Sequence, residues 1–180
     1  MITEENRKKN EAECGFGRKG EAMKEALENR ILDIHSKGDY PSCALSNFAE
    51  HPFVLDGVEC QSMEGFLQSL KFRNPQKQRQ VCLLSGKAAK NAAKHTFSGL
   101  RWKITGKLYW QGKTRKRLSD EYQILLDRAY DELYKNEGFR AALKSTDGLI
   151  LCHSIGRKDR RKTVLTEYEF ISRLERLRKQ

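Results

Sequence analysis

Ser119-Asp120-Glu121 opens the segment that most constrains this chain, because Tyr122, Leu125, Leu126, Ala129, Tyr130 and Leu133 then recur at helical spacing. Apolar groups at i, i+3, i+4 and i+7 make one continuous face, and acidic residues in the first turn complement the helix dipole. A helix from residue 119 to 133 with one buried side therefore needs a core to pack against. The 180 residues suffice for one such core and are too few for two large ones.

The rest of the chain supplies the partners. Pro52-Phe53-Val54-Leu55 and Val58-Glu59-Cys60 flank Asp56-Gly57, a pair favoured in tight turns, which predicts a β-hairpin. Ser62 caps a helix over residues 63–72, where Met63, Phe66, Leu67 and Leu70 form an apolar face. Asn74-Pro75 starts another helix, the alanine-rich residues 87–94 a short one, and Ser98-Gly99 marks a break. Asn136 caps a helix through Leu143, and Leu149-Ile150-Leu151-Cys152 reads as a buried strand. Thr166 and Glu169 form a capping box before Phe170, Ile171, Leu174 and Leu177. The expected class is α+β, a mostly helical single domain around a small β-sheet or hairpin.

Residues 1–36 read as a charged extension and 37–180 as the domain, with the turn-forming residues 37–42 at the boundary. A weak helical pattern at Met23, Ala26, Leu27 and Ile31 falls at the end of the extension. No stretch reaches the roughly 18 apolar residues that span a bilayer, and no secretory leader is evident, so a cytoplasmic location with no membrane partner is expected. Cys14, Cys43, Cys60, Cys82 and Cys152 are odd in number and widely spaced, which predicts reduced thiols. His35, His51, His95 and His153 lack zinc-site spacing; neither metal nor cofactor is expected.

Charge is distributed unevenly. The net charge is +11, and residues 65–119 hold fourteen Lys and Arg and no Asp or Glu. Such a face attracts polyanions and phosphorylated ligands, although charge runs also serve as solvated surface. Trp102, Tyr109 and Trp110 lie in this stretch, suited either to base stacking or to the core.

On the helix over 63–72, roughly 100° per residue sets Glu64, Gln68 and Lys71 on one edge beside the apolar face. Glu64 in the first turn is expected to be held ionised by the helix dipole, and to suit a base or a cation-stabilising role in glycosidic cleavage. An ordinary solvated helix edge is the alternative. His153 follows the apolar run at a strand end, where functional groups often emerge.

The motifs Leu45-Ser46-Asn47-Phe48-Ala49, Pro52-Phe53-Val54-Leu55-Asp56-Gly57, Ser62-Met63-Glu64 and Gln68-Ser69-Leu70-Lys71-Phe72 resemble the signature of the NADAR superfamily, which includes the YbiA-like N-glycosidases of the riboflavin-associated branch. The resemblance continues through Leu108-Tyr109-Trp110, Leu126-Asp127-Arg128-Ala129-Tyr130-Asp131, His153-Ser154-Ile155-Gly156 and residues 163–170, and spans roughly 42–179. It implies a compact α+β domain that binds ADP-ribose-like or ribosyl-phosphate ligands and hydrolyses an N-glycosidic bond, with ADP-ribosylated guanine in DNA or RNA among the candidate substrates.

By the same resemblance Glu64 is the expected catalytic carboxylate, flanked by Gln68 and Lys71, with Asn47 and Phe48 in the pocket; Lys71 and His153 are further catalytic candidates, and Gln68, Trp110, Ser154 and Gly156 candidate ligand contacts. Lysine attack on an opened ribose is associated with some relatives, and Lys71 is one candidate for that role. The YbiA-like branch carries an acidic residue and a Trp-Gly pair where His153-Ser154-Ile155-Gly156-Arg157-Lys158 stands here, so His153 or Asp159 would have to substitute. Two alternatives follow, a non-catalytic ADP-ribose or NAD-binding module and a basic nucleic-acid-binding protein.

Overall fold

The expected long helix forms over Asp120–Tyr134 and buries Tyr122, Leu125, Leu126, Ala129, Tyr130 and Leu133. In the computed structural model, which describes residues 30–94 and 96–180, this helix, α6, is a wall against which several of the other elements pack. In chain order they are β1 (Ile31–Asp33), α1 (Ser42–Leu45), β2 (Phe53–Leu55), β3 (Val58–Cys60), α2 (Met63–Ser69), α3 (Pro75–Cys82), α4 (Gly86–Ala92) and α5 (Phe97–Thr105). Then follow β4 (Lys107–Trp110), β5 (Lys113–Lys116), α6, α7 (Glu137–Lys144), β6 (Ile150–Cys152) and α8 (Glu167–Arg178). The α+β class holds, but in place of one small sheet there are three two-stranded ones: β1–β6, β2–β3 and β4–β5.

Local signals account for most element starts. Ser62 accepts a hydrogen bond from the Gly65 amide, Asn74 from Gln76 and Lys77, and Asn136 from Phe139, while Thr166 and Glu169 complete a capping box. The Asp56-Gly57 turn joins β2 and β3 in antiparallel register, Val54 opposite Glu59. Phe66 of α2 then meets Trp110 of β4 edge-on at 5.1 Å between ring centroids and Phe53 of β2 at 6.4 Å, which ties both hairpins to α2.

Four expectations are corrected. Residues 31–34, grouped with the extension, belong to the domain: β1 pairs in parallel with β6, Leu32 beside Leu151, and Ile34 is fully buried. The break expected at Ser98-Gly99 lies inside α5, where glycine lets the helix approach the preceding turn; a Cβ at Gly99 would sit 1.9 Å from the Ala93 carbonyl oxygen. Helix α2 ends at Ser69 and not at residue 72, and the chain leaves it in tight turns from Gln68 to Lys71 and from Ser69 to Phe72. Cys60, Cys82 and Cys152 are free thiols, whereas Cys43 is disulfide-bonded. Of the helical pattern expected at Met23, Ala26, Leu27 and Ile31, the first three lie outside the described residues and Ile31 opens strand β1 instead.

A buried glutamine stitches the far end of α2 in place. Gln78 of α3 donates to the Phe72 and Tyr109 carbonyls at 2.8 and 2.7 Å and accepts from the Gln111 amide at 3.1 Å. The Tyr109 amide in turn donates to the Leu70 carbonyl at 2.7 Å. The turn that carries Lys71 is therefore held between α3 and the β4–β5 hairpin.

A buried carboxylate, amide and amine as candidate active site

Helix α2 has no solvent face: every residue from Met63 to Ser69 is buried. Gly65 permits this, since a Cβ there would meet the Leu84, Cys82 and Val81 carbonyl oxygens at 2.5, 2.9 and 3.0 Å. The solvated-edge alternative for Glu64 is thereby overturned, because the edge faces inward and Glu64 is 9% exposed.

Glu64, Gln68 and Lys71 form a chain of hydrogen bonds along that edge. The Gln68 amide nitrogen donates to Glu64 Oε1 at 2.9 Å, and Lys71 Nζ donates to Gln68 Oε1. A carboxylate can only accept and an ammonium can only donate, so the amide has one orientation that satisfies both. Lys71 Nζ also lies 5.8 Å from the centroid of the buried Trp102 ring.

Burial shifts both ionisable ends toward neutrality. The Glu64 carboxyl is pushed up by desolvation, which outweighs the hydrogen bond from Gln68 and the attraction of Lys71 and Lys90. This reverses the expectation from the helix dipole, whose effect is worth about 1 kcal/mol or less at an ordinary helix start. The Lys71 amine is pulled down to about 8, first by desolvation and further by Lys103, against the opposing pull of Glu64.

The Ser46-Asn47-Phe48 turn borders this chain. The Asn47 carbonyl accepts from the Glu64 amide at 2.8 Å, and Asn47 Oδ1 accepts from the Tyr130 hydroxyl of α6 at 2.8 Å. The Phe48 carbonyl accepts from the Gly86 amide at the start of α4, and Lys90 of α4 places its ammonium 5.3 Å from the Phe48 ring centroid. Asn47, Phe48, Glu64, Gln68 and Lys71 are thus brought together, with Lys90 and Lys103 supplying positive charge.

The other candidates lie elsewhere. Trp110 is 1% exposed, packs on Phe66 and donates its indole N–H to Asp56 Oδ2 at 2.8 Å, so it is a core residue and offers no face for a base. His153, Ser154 and Gly156 form a separate turn beside β1 and α8. His153 Nδ1 lies 2.6 Å from the Ile34 carbonyl, which fixes the ring proton on Nδ1 and leaves Nε2 as the basic nitrogen. Its ring packs edge-on against Phe170 at 5.3 Å. The Ser154 amide and hydroxyl both donate to the Asp33 carboxylate. A Cβ at Gly156 would come within 2.7 Å of the His153 ring, so glycine is needed for the turn itself. This turn approaches the Glu64 cluster through the core, by way of Phe170 and Tyr130, whose rings are 6.3 Å apart.

Sequence reasoning missed Tyr130 and Lys90 as members of the site, and offered Trp102 only alongside Tyr109 and Trp110. Tyr130 carried a signal, a hydroxyl on the core face of the strongest helix, where a buried phenol needs a partner. Trp102 and Trp110 were not separable by composition. Among the described residues, no group of three or more His, Cys, Asp or Glu is placed to hold a metal ion.

Comparison with known proteins agrees with this architecture. The solved structure of the Escherichia coli protein YbiA superposes with a TM-score of 0.54 over 83% of each chain at 19% identity, which establishes a YbiA-like fold. A protein of Enterobacteria phage T4, described as an uncharacterized 17.1 kDa protein in the Gp30-rIII intergenic region, is 44% identical over 151 residues, covering 82% of this chain and 96% of that one. The model of the bacteriophage protein GP30.3 family matches residues 39–179, from before the Ser46-Asn47-Phe48 turn to the end of α8, and the chain belongs to that family.

Proposed function

We propose that the protein is a NADAR-type N-glycosidase that cleaves the bond between C1 of a ribose and a base nitrogen in an ADP-ribosylated or ribosyl-phosphate substrate. The observation that carries this reading is the buried Glu64–Gln68–Lys71 chain, with one end pushed toward a neutral carboxyl and the other toward a neutral amine. As the glycosidic bond breaks, its electron pair leaves with the base and positive charge develops on the sugar. A desolvated carboxylate gains more from that charge than a hydrated one, so Glu64 is the group to stabilise it and to accept a proton from the incoming water. Gln68 holds the carboxylate in place. Lys71, with Lys90 and Lys103 nearby, supplies charge for a phosphate, and its free-amine form can condense with C1 of an opened ribose, releasing water.

A second reading, a module that binds ADP-ribose or NAD without turnover, is favoured by the turn at His153, whose Ser154 and Nδ1 groups are already engaged by Asp33 and Ile34. Product analysis by chromatography and mass spectrometry separates the two, using ADP-ribosylated guanine oligonucleotide, NAD, ADP-ribose and a ribosylaminopyrimidine phosphate as substrates. Release of free base by the wild type and not by Glu64→Gln is the expected result. Saturable binding of one of these ligands without any product selects the binding module, and full turnover by Glu64→Gln refutes the role of Glu64.

A further inference from the structure

Helix α5 is seated by a single buried residue, Trp102, and turns a row of large apolar side chains outward. Phe97, Leu100 and Ile104 are 77%, 60% and 86% exposed, and their spacing of i, i+3 and i+7 puts them on one face. Three contiguous side chains of this size on one helix face are unusual for a surface that stays in water. The exposed side chains around the row include Lys94, Arg101, Lys103 and Lys107, and the guanidinium of Arg101 lies 6.0 Å from the Phe97 ring centroid.

The charge around the row limits what can cover it. Residues 65–119 contain no acid, so a second copy docked face to face would oppose two cationic surfaces. Exposed cations also stand on α3, α4 and β5, so the positive charge is spread over several elements and is not confined to the flank of the row. An extended anionic surface matches that spread. Nucleic acid offers one, but its phosphates gain nothing from Leu100 and Ile104, whereas an anionic bilayer supplies phosphate at its surface and hydrocarbon immediately beneath.

We propose that α5 docks the protein on anionic membranes, with Phe97, Leu100 and Ile104 inserted at the headgroup boundary and the surrounding Lys and Arg on lipid phosphates. No helix among the described residues is long and apolar enough to cross a membrane, and none is required, since the helix lies in the surface. The absence of a membrane partner expected from the sequence considered only spanning segments. The proposal is independent of the glycosidase reading.

Vesicle co-sedimentation of the full chain tests it, with phosphatidylcholine alone and with about 30% phosphatidylglycerol, at low and high salt. Binding is expected only to the anionic vesicles, weakened by salt and reduced about tenfold or more by Phe97→Ser with Ile104→Ser, which keeps every charge. Arg101→Gln with Lys107→Gln is expected to weaken binding too, and both variants should melt with the wild type because the altered groups are exposed. Absence of binding to anionic vesicles overturns the proposal, as does binding that ignores the apolar variant. If the apolar variant instead loses affinity for a single-stranded oligonucleotide while vesicle binding is unchanged, the row serves nucleic acid and the membrane assignment fails.

Discussion

Burial should make Lys71 titrate at about 8, well below an ordinary lysine, and the consequence can be measured without knowing the substrate. An amine of the ordinary value, 10.5, is unprotonated in about one molecule in 3,000 at pH 7, whereas one lowered to about 8 is unprotonated in about one in ten. The structure thus gives Lys71 about 300 times the free-amine population of a surface lysine. Reductive methylation with 13C-formaldehyde and NMR titration, with Lys71→Gln to assign the signal, should show one lysine with a midpoint near 8. In Glu64→Gln the midpoint should fall further, because Glu64 is the anion that holds the ammonium up against desolvation. The folded value lies below the unfolded one, so the buried ammonium opposes folding at neutral pH and the penalty is relieved as pH rises from about 8 toward 10.5. Lys71→Met should therefore raise stability at pH 7, by at most about 3 kcal/mol, in urea unfolding. A Lys71 midpoint above 10, or one that rises in Glu64→Gln, would refute the desolvation argument.

Three further outcomes are expected. Glu169 accepts from Arg117 at 3.0 and 2.5 Å and from the Thr166 amide at 2.8 Å, contacts that hold its carboxyl at about 2 although burial opposes them. Its contribution of about 3 kcal/mol is complete above 4.5 and is lost as pH falls from there toward 2, so the urea stability gap between wild type and Glu169→Gln should narrow from pH 7 to pH 3. Gly65→Ala should cost about 2 kcal/mol or more and abolish ligand binding by calorimetry, since the new methyl meets three backbone carbonyls and α2 must move. Tyr130→Phe should cost about 1 kcal/mol in thermal unfolding and raise KM more than it lowers kcat, by releasing Asn47 while leaving Glu64 in place.

What was legible in the sequence was what depends on neighbours along the chain. Ser62, Asn74, Asn136 and the Thr166–Glu169 pair announce helix starts because a cap is satisfied within three residues. The shared edge of Glu64, Gln68 and Lys71 follows from helical geometry alone. That this edge is buried does not, because Asn47, Trp102 and Tyr130, which border it, arrive from the turn after α1, from α5 and from α6. The β4–β5 hairpin escaped notice because Lys113-Thr114-Arg115-Lys116 has no apolar alternation, its strand being fixed by pairing with Leu108 and Trp110. β1 escaped for a different reason: three residues gain strand character only from Ile150, Leu151 and Cys152, which lie more than a hundred residues on.

The single orientation of the Gln68 amide has a further consequence. A carboxyl and an amine in direct contact share a proton freely and equilibrate as one unit, but an amide passes an electric field and does not pass protons. Gln68 is therefore an insulator between two terminals that feel each other's charge yet cannot discharge through the wire that joins them. Each terminal therefore exchanges its proton with solvent or with a bound molecule and not with the other, and each answers to the other's charge alone.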